Sequence, residues 1–224
     1  MPSHTILVFG ATGSAGGAVL LACLDDPGVA EVRTVTRRPL GRTHPKLREV
    51  VHGDFTDFSA VSDAFAGVDA CFFCLGVSVT QVPNEAVYRA ITHDITLAAA
   101  RTLAARSPAA SFHYISGQGT DAEGRLMWMR VKGALERQLM TEFGGVCWRP
   151  AFIDGEASDH APWLLKVATP VLRLLKPFTS LYVDGRDLGR AMLHAARTGM
   201  RARVVENAEI RTLAASPSPA SPRA

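Results

Sequence analysis

Three glycines spaced three apart, Gly10, Gly13 and Gly16, punctuate the run GATGSAG, and two arginines, Arg37 and Arg38, follow further on. The chemistry open to this set is the holding of phosphate. Gly10 allows a sharp turn, Gly13 lets backbone approach a pyrophosphate, and Gly16 lets a new helix start close to a sheet. The helix N-terminus then offers free N–H groups and a partial positive charge to an anion. A guanidinium chelates a phosphate, whereas a fold selective for NAD places an Asp or Glu near the end of its second strand to bind the ribose 2′-hydroxyl. Here that end reads Thr36-Arg37-Arg38, without a carboxylate. Paired arginines also suit a plain solvated loop. The glycine run upstream favours the phosphate, and NADP as the dinucleotide.

These residues need a strand, a turn and a helix to position them. Ile6-Leu7-Val8-Phe9 reads as a buried strand and Ala18 to Ala22 as a helix, with the glycines between. Glu31 to Thr36 alternates into a second strand, which completes a βαβ unit. Val50 to Asp57 reads as a third short strand ending in an acidic turn, Phe58 to Phe65 as helical, and Ala70 to Gly76 as an apolar strand. Ligands of such sheets bind outside the carboxyl ends of the strands. Asp54 and Gly76 therefore fall on the ligand side, with Asp54 suited either to the adenine or to forming its own turn.

Further along, Glu85 to Ala105 and Leu126 to Glu142 read as helices, and Ser111 to Ser116 as a fifth strand. Val146 to Phe152, with Arg149-Pro150 inside it, reads as a sixth strand, and Asp187 to Arg197 as a short helix. Alternation of this kind predicts an α/β protein, a Rossmann-type doubly wound parallel sheet with helices on both faces. Residues 1–213 are expected to form one such domain. Within it 153–183 is expected to be a substrate-covering excursion, and 214–224, with its Ser-Pro repeats, a disordered tail.

Composition narrows the function classes. Of 224 residues 47% are hydrophobic and 20% charged, a globular balance, and a net charge of +3 without a basic stripe gives nucleic-acid binding little support. Cys71 and Cys74 mimic a redox pair, but strand residues three apart point to opposite faces, so all four cysteines read as small buried hydrophobes. No two histidines have metal-ligand spacing, and His93 and His113 read as structural. The apolar stretch from Trp163 to Val183 is broken by Lys166, Pro170, Arg173, Lys176 and Pro177, which argues against a membrane span. Without a charged leader, the expectation is a soluble cytoplasmic protein with no metal.

The GATGSAG loop, TRRP, GDFTD, the LG of Leu75-Gly76, YIS, the WMRVKG helix and RPAFIDG occur in one order along nearly the whole chain. In these pieces the chain resembles the short-chain dehydrogenase/reductase superfamily, in its extended or atypical branch, and more narrowly the Tat-interacting-protein oxidoreductase group. The resemblance implies cofactor contacts at Gly10, Thr12, Gly13, Ser14, Ala15, Gly16, Arg37, Arg38, Asp54, Leu75, Gly76, Lys132 and Pro150. It also implies a catalytic helix on which a Tyr precedes a Lys by four residues, with a Ser upstream. Lys132 matches the Lys and Ser116 the Ser, but Trp128 stands where the Tyr belongs. An indole N–H donates a hydrogen bond but does not deliver a proton at neutral pH.

The expected activity is accordingly transfer of hydride from NADPH to a small organic acceptor, without the usual acid. Trp128 serves as a packing residue or a cover for the pocket. The alternative is a non-catalytic NADP-responsive protein that presents a surface to a partner. The apolar Trp163 to Leu175 stretch suits either a cover for the pocket or a contact with a second subunit of a homodimer or with a protein partner, and the sequence does not choose between them.

Overall fold

The structure, a computed structural model, describes residues 3–155 and 180–216. Most of the expected excursion, the Trp163 to Leu175 stretch and the final eight residues of the expected tail lie outside the described residues. Ala214 and Ala215, assigned above to that tail, still belong to the last helix.

Strand β1 (His4–Phe9) is apolar without alternation because both of its faces are covered. Its neighbours are β2 (Val29–Thr36) and β4 (Ala70–Phe73), with β3 (Leu47–Val51) at the edge beyond β2. On the other side follow β5 (Ser111–Ile115), β6 (Val146–Arg149) and β9 (Arg203–Glu206), giving the parallel order β3-β2-β1-β4-β5-β6-β9. A two-stranded parallel ribbon, β7 (Phe152–Asp154) with β8 (Tyr182–Asp184), stands apart. Chain direction across the sheet reverses between β1 and β4, which opens a crevice at their carboxyl ends. This is the doubly wound fold expected.

Alternate strand residues feed two cores. Val8, Phe72 and Trp148 face one, with Val19, Leu20 and Cys23 of α1 (Ser14–Asp25) and Leu188 and Met192 of α5 (Gly185–Arg197). Ile210 of α6 (Asn207–Ala215) closes that side. Phe9, Phe73 and Phe112 face the other core, with Leu97 of α3 (Ile95–Arg106) and Leu135 and Leu139 of α4 (Met127–Phe143). Cys71 belongs to the second core and Cys74 packs against the first, so the sulfurs of the CxxC lie on opposite sides of the sheet. α1 and α5 approach closely because only small residues separate them: a Cβ at Gly189 would fall 2.6 Å from that of Ala22.

Several expected boundaries shift for physical reasons. The sixth strand ends at Arg149 rather than Phe152, since Pro150 has no N–H for a ladder and its carbonyl instead accepts Gln118 N at 2.9 Å. The fourth strand ends at Phe73 rather than Gly76. The segment after the third strand is a 3-10 helix, Ser59–Phe65. The long helix from Glu85 is α2 (Glu85–Arg89), a π turn (Ala90–Asp94) and α3 in succession. Neither β8 nor β9 was expected. β9 is four residues long with Arg and Glu at its ends, too short and polar for a periodic signal.

His113 is structural. It is fully buried on β5, and Trp148 Nε1, a donor only, gives its proton to His113 Nδ1 at 3.2 Å. The ring hydrogen therefore sits on Nε2 and is donated to Ser111 Oγ at 3.0 Å. Burial holds this imidazole neutral, with its pKa pushed down to about 3. His93, also buried, pairs through Nδ1 with Asp94 at 2.9 Å.

Candidate functional site

The glycine turn is built by close backbone approach. Gly10 has φ +75°, and a Cβ there would lie 2.6 Å from the Cys74 carbonyl oxygen. At Gly16 a Cβ would overlap the Gly10 carbonyl oxygen itself, so its task is to fold the turn back on its own backbone. Gly13 is the N-cap of α1, and it carries no side chain to occupy the first-turn N–H groups. Ser14 and Ala15 open the helix, and a Cβ at Gly155, just past β7, would lie 2.5 Å from Ser14 Oγ.

A cleft of about 330 Å³ lies beside this turn. Gly10 and Thr12 form one side, Phe55 and Leu75 are apolar walls, and Val35, Thr36, Arg37 and Arg38 close the end. Both arginines are exposed, and neither makes an ion pair with the described residues. Thr36 Oγ1 is buried without a hydrogen-bond partner among the described residues. A glycine cradle, an orphaned hydroxyl and a guanidinium rim fit a dinucleotide's pyrophosphate, ribose and 2′-substituent.

Not every expected contact reaches the cleft. Asp54 turns into its own loop, where its carboxylate accepts Thr56 N at 2.8 Å and Thr56 Oγ1 at 2.6 Å. That is the turn-forming role, and those bonds hold the exposed carboxyl below its usual pKa range. The adjacent Phe55 supplies the wall instead. A large apolar residue beside a turn was its only trace in the sequence. Gly76 is exposed beyond the end of β4 and does not line this cleft.

A second group assembles at the end of β5. α4 presents Val131, Leu135 and Leu139 inward at four-residue spacing, which turns Lys132 and Glu136 toward the neighbouring strands. A Cβ at Gly133 would overlap the Ala122 backbone nitrogen, so this glycine lets the loop after β5 lie on the helix. Lys132 Nζ donates to the main-chain oxygen of Ser116 at 2.6 Å. Burial pushes its pKa down to about 8, and the Glu136 carboxylate partly opposes that shift. Ser116 Oγ meets Thr120 Oγ1 at 3.0 Å, and Thr120 Oγ1 donates to the Gly117 carbonyl at 2.8 Å. Trp128, partly buried, lies along Gly119, where a Cβ would fall 3.7 Å from its Cη2. Pro150 is buried and joins this group through Gln118.

The helix is pinned by a buried fork. Glu136, 2% exposed, accepts from Arg149 Nη2 at 2.6 Å and Nε at 3.1 Å, and Arg149 Nη1 reaches Glu206 at 3.1 Å. These carboxylates push the Arg149 pKa upward. Thr120 and Glu136 were not picked out from the sequence. Glu136 had a signal, since it lies one turn after Lys132 on the same face.

Two phosphate-suited features and a Ser/Lys pair at the carboxyl edge of a parallel sheet define a nicotinamide-dinucleotide-binding protein. A family model described as NAD(P)H-binding matches residues 10–133, more than half of the chain. The chain belongs to this family. Protein FMP52, mitochondrial, of Eremothecium gossypii is 25% identical over 217 residues, 92% of this chain and 96% of that protein. Protein HTATIP2 of Rattus norvegicus is 27% identical over 143 residues, 62% of this chain and 57% of that protein. A short chain dehydrogenase family protein from Francisella tularensis superposes with a TM-score of 0.68 at 14% identity, over 91% of this chain and 96% of that one. The mitochondrial name of the fungal relative lends no support to the cytoplasmic location expected above. Among the described residues no helix is long and apolar enough to cross a membrane.

Proposed function

We propose that this protein is an NADP-dependent oxidoreductase of the atypical kind, passing hydride to a small conjugated acceptor such as a flavin-type ring rather than to a simple carbonyl. The observation that carries the cofactor choice is the pair of exposed guanidinium groups on the cleft rim, with no carboxylate among the described residues that line it. A 2′-phosphate gains charge-assisted hydrogen bonds there, and its charge is not repelled. The α1 N-terminus would hold the pyrophosphate, the arginines the 2′-phosphate, and Lys132 the nicotinamide-side ribose. A bound reduced nicotinamide supplies hydride. The protein's own part is to orient the two rings and keep water from between them. Trp128 argues for the acceptor class. Carbonyl reduction needs an acid of the phenol kind at that place, whereas a conjugated ring becomes basic as it accepts hydride and takes its proton from a weaker source. Calorimetric titration with NADPH and NADH, followed by a screen of carbonyl compounds and flavins, tests this reading. Expected are at least tenfold tighter NADPH binding and stereospecific NADPH consumption with flavins. Tight NADPH binding without turnover on any acceptor sinks the oxidoreductase.

Trp128 also favours a second reading, a protein that binds NADP without chemistry and offers a surface to a protein partner or a second copy. The substitution Trp128→Tyr separates the two. Carbonyl reduction that appears only in the variant, with no flavin reduction in the natural protein, supports the second reading. Flavin reduction by the natural protein supports the first.

A further inference from the structure

We propose, resting on the hydride-transfer reading above, that the ammonium of Lys132 is itself the acid that protonates the reduced acceptor. The hydrogen-bond directions around it single this group out. The Thr120 hydroxyl has one proton, and it goes to the Gly117 carbonyl at 2.8 Å. Ser116 Oγ, 3.0 Å from Thr120 Oγ1, must then be the donor of that pair, so its own proton is committed to Thr120. Toward an acceptor Ser116 offers lone pairs alone. Trp128 carries an indole, and Tyr114, 1% exposed, is packed in the core beneath the sheet. Lys132 Nζ, by contrast, is anchored on the Ser116 main-chain oxygen at 2.6 Å and stands beside Gly117, with two N–H bonds that no described residue takes up. The anchor places an ammonium at the carboxyl end of β5, next to the one hydroxyl expected to orient the acceptor.

The charges around it support a transferable proton. On its own helix Glu136 faces Lys132, and that carboxylate is forked by Arg149 of β6. Behind it the same carboxylate faces Tyr114 of β5, which in turn faces Tyr88 of α2, and burial keeps both phenols protonated. Burial outweighs Glu136, so the pKa of Lys132 is pushed down to about 8. An acid in that range is mostly charged at pH 7 and still able to release its proton. In the balanced step a flavin-type acceptor would gain an N5–H bond and two electrons as the C4–H bond of bound NADPH breaks. Charge collects on an acceptor nitrogen or oxygen. One N–H bond of Lys132 breaks to protonate that atom, and the neutral amine regains a proton from water.

The test uses the full chain with NADPH and riboflavin. In the natural protein the turnover rate at saturation should be level below pH 7 and fall about tenfold per pH unit above the lysine's pKa. Trace acetylation with acetic anhydride, read by mass spectrometry without any cofactor, should show Lys132 half-reactive near pH 8, against roughly 10.4 for an ordinary lysine. Lys132→Arg keeps the charge but cannot give up its proton. With its NADPH affinity read by calorimetry and NADPH held at saturation, the variant should lose at least ~100-fold in turnover and lose the alkaline limb. Turnover in Lys132→Arg within about fivefold, or an ordinary acetylation midpoint, overturns the assignment to Lys132 and leaves hydride transfer standing. Tight NADPH binding with no riboflavin reduction by the natural protein overturns the hydride-transfer reading, and the proposal with it.

Discussion

α1 and α5 pack side by side, yet their first turns are built in opposite ways. α5 is capped by Asp184, whose carboxylate accepts Arg186 N at 2.8 Å and Asp187 N at 3.4 Å, and Asp187 adds a negative charge to the first turn. α1 begins at Gly13 with no side-chain cap and no acidic residue in its first turn. A capped helix has its orphan N–H groups satisfied from within, and an uncapped one keeps them for something else. The comparison teaches that α5 is finished by its own sequence, whereas α1 is left open, as the proposed pyrophosphate site requires.

Four variants break or sharpen that contrast. The largest effect is expected from Gly16→Val, whose side chain overlaps the Gly10 carbonyl. It should cost about 3 kcal/mol of stability and abolish NADPH binding, read by thermal denaturation and calorimetry. Next comes Gly13→Asp, which gives α1 the kind of cap that α5 has. The backbone there, φ −86° and ψ 165°, suits an L residue, and a Cβ lies 3.3 Å from the Gly10 oxygen, a contact that small adjustment relieves. Stability should hold or rise by up to about 1 kcal/mol. NADPH affinity should fall about 100-fold, because the new carboxylate takes the N–H groups and repels phosphate. A variant that binds NADPH as well as the natural protein would dissolve the contrast.

The rim comes third. Arg37→Ala with Arg38→Ala should weaken NADPH by about tenfold or somewhat more and leave NADH unchanged, since only the 2′-phosphate is touched. Equal loss for both cofactors would move the arginines from selectivity to general attraction. The smallest effect belongs to Asp184→Ala, which should lower stability by about 1 kcal/mol with NADPH affinity intact. A change in affinity there would mean that the two helix ends are coupled.

What was legible in the sequence was local. The strand, glycine turn and helix from His4 to Asp25 are dictated within one stretch, because unbroken apolar residues demand a two-sided burial and the turn demands residues without a Cβ. Arg37 and Arg38 were legible for the same reason: they directly follow β2, and the strand's end fixes where they stand. Asp54 shows the limit. Its residue type suited both a ligand and a turn; the loop's hydrogen bonds to Thr56 show the turn, and Phe55 beside it lines the cleft. The sixth strand was read straight through Pro150, whose missing N–H ends the ladder, and the ribbon β7–β8 that follows depends on a partner strand some thirty residues away.

The sequence by itself determined the glycine turn, the basic end of the second strand and the indole of Trp128 four residues before Lys132. Each is a matter of residue type and short spacing. Tertiary structure alone decided the hydrogen-bond directions that run from Ser116 through Thr120 to Gly117, and the anchoring of Lys132 on the Ser116 carbonyl. The same holds for the Glu136–Arg149–Glu206 fork that fixes α4 to the strands. The physical reason is that these contacts join groups brought together by parallel crossovers. A hydroxyl's single proton goes wherever the folded backbone happens to offer an acceptor, and no local pattern encodes that choice.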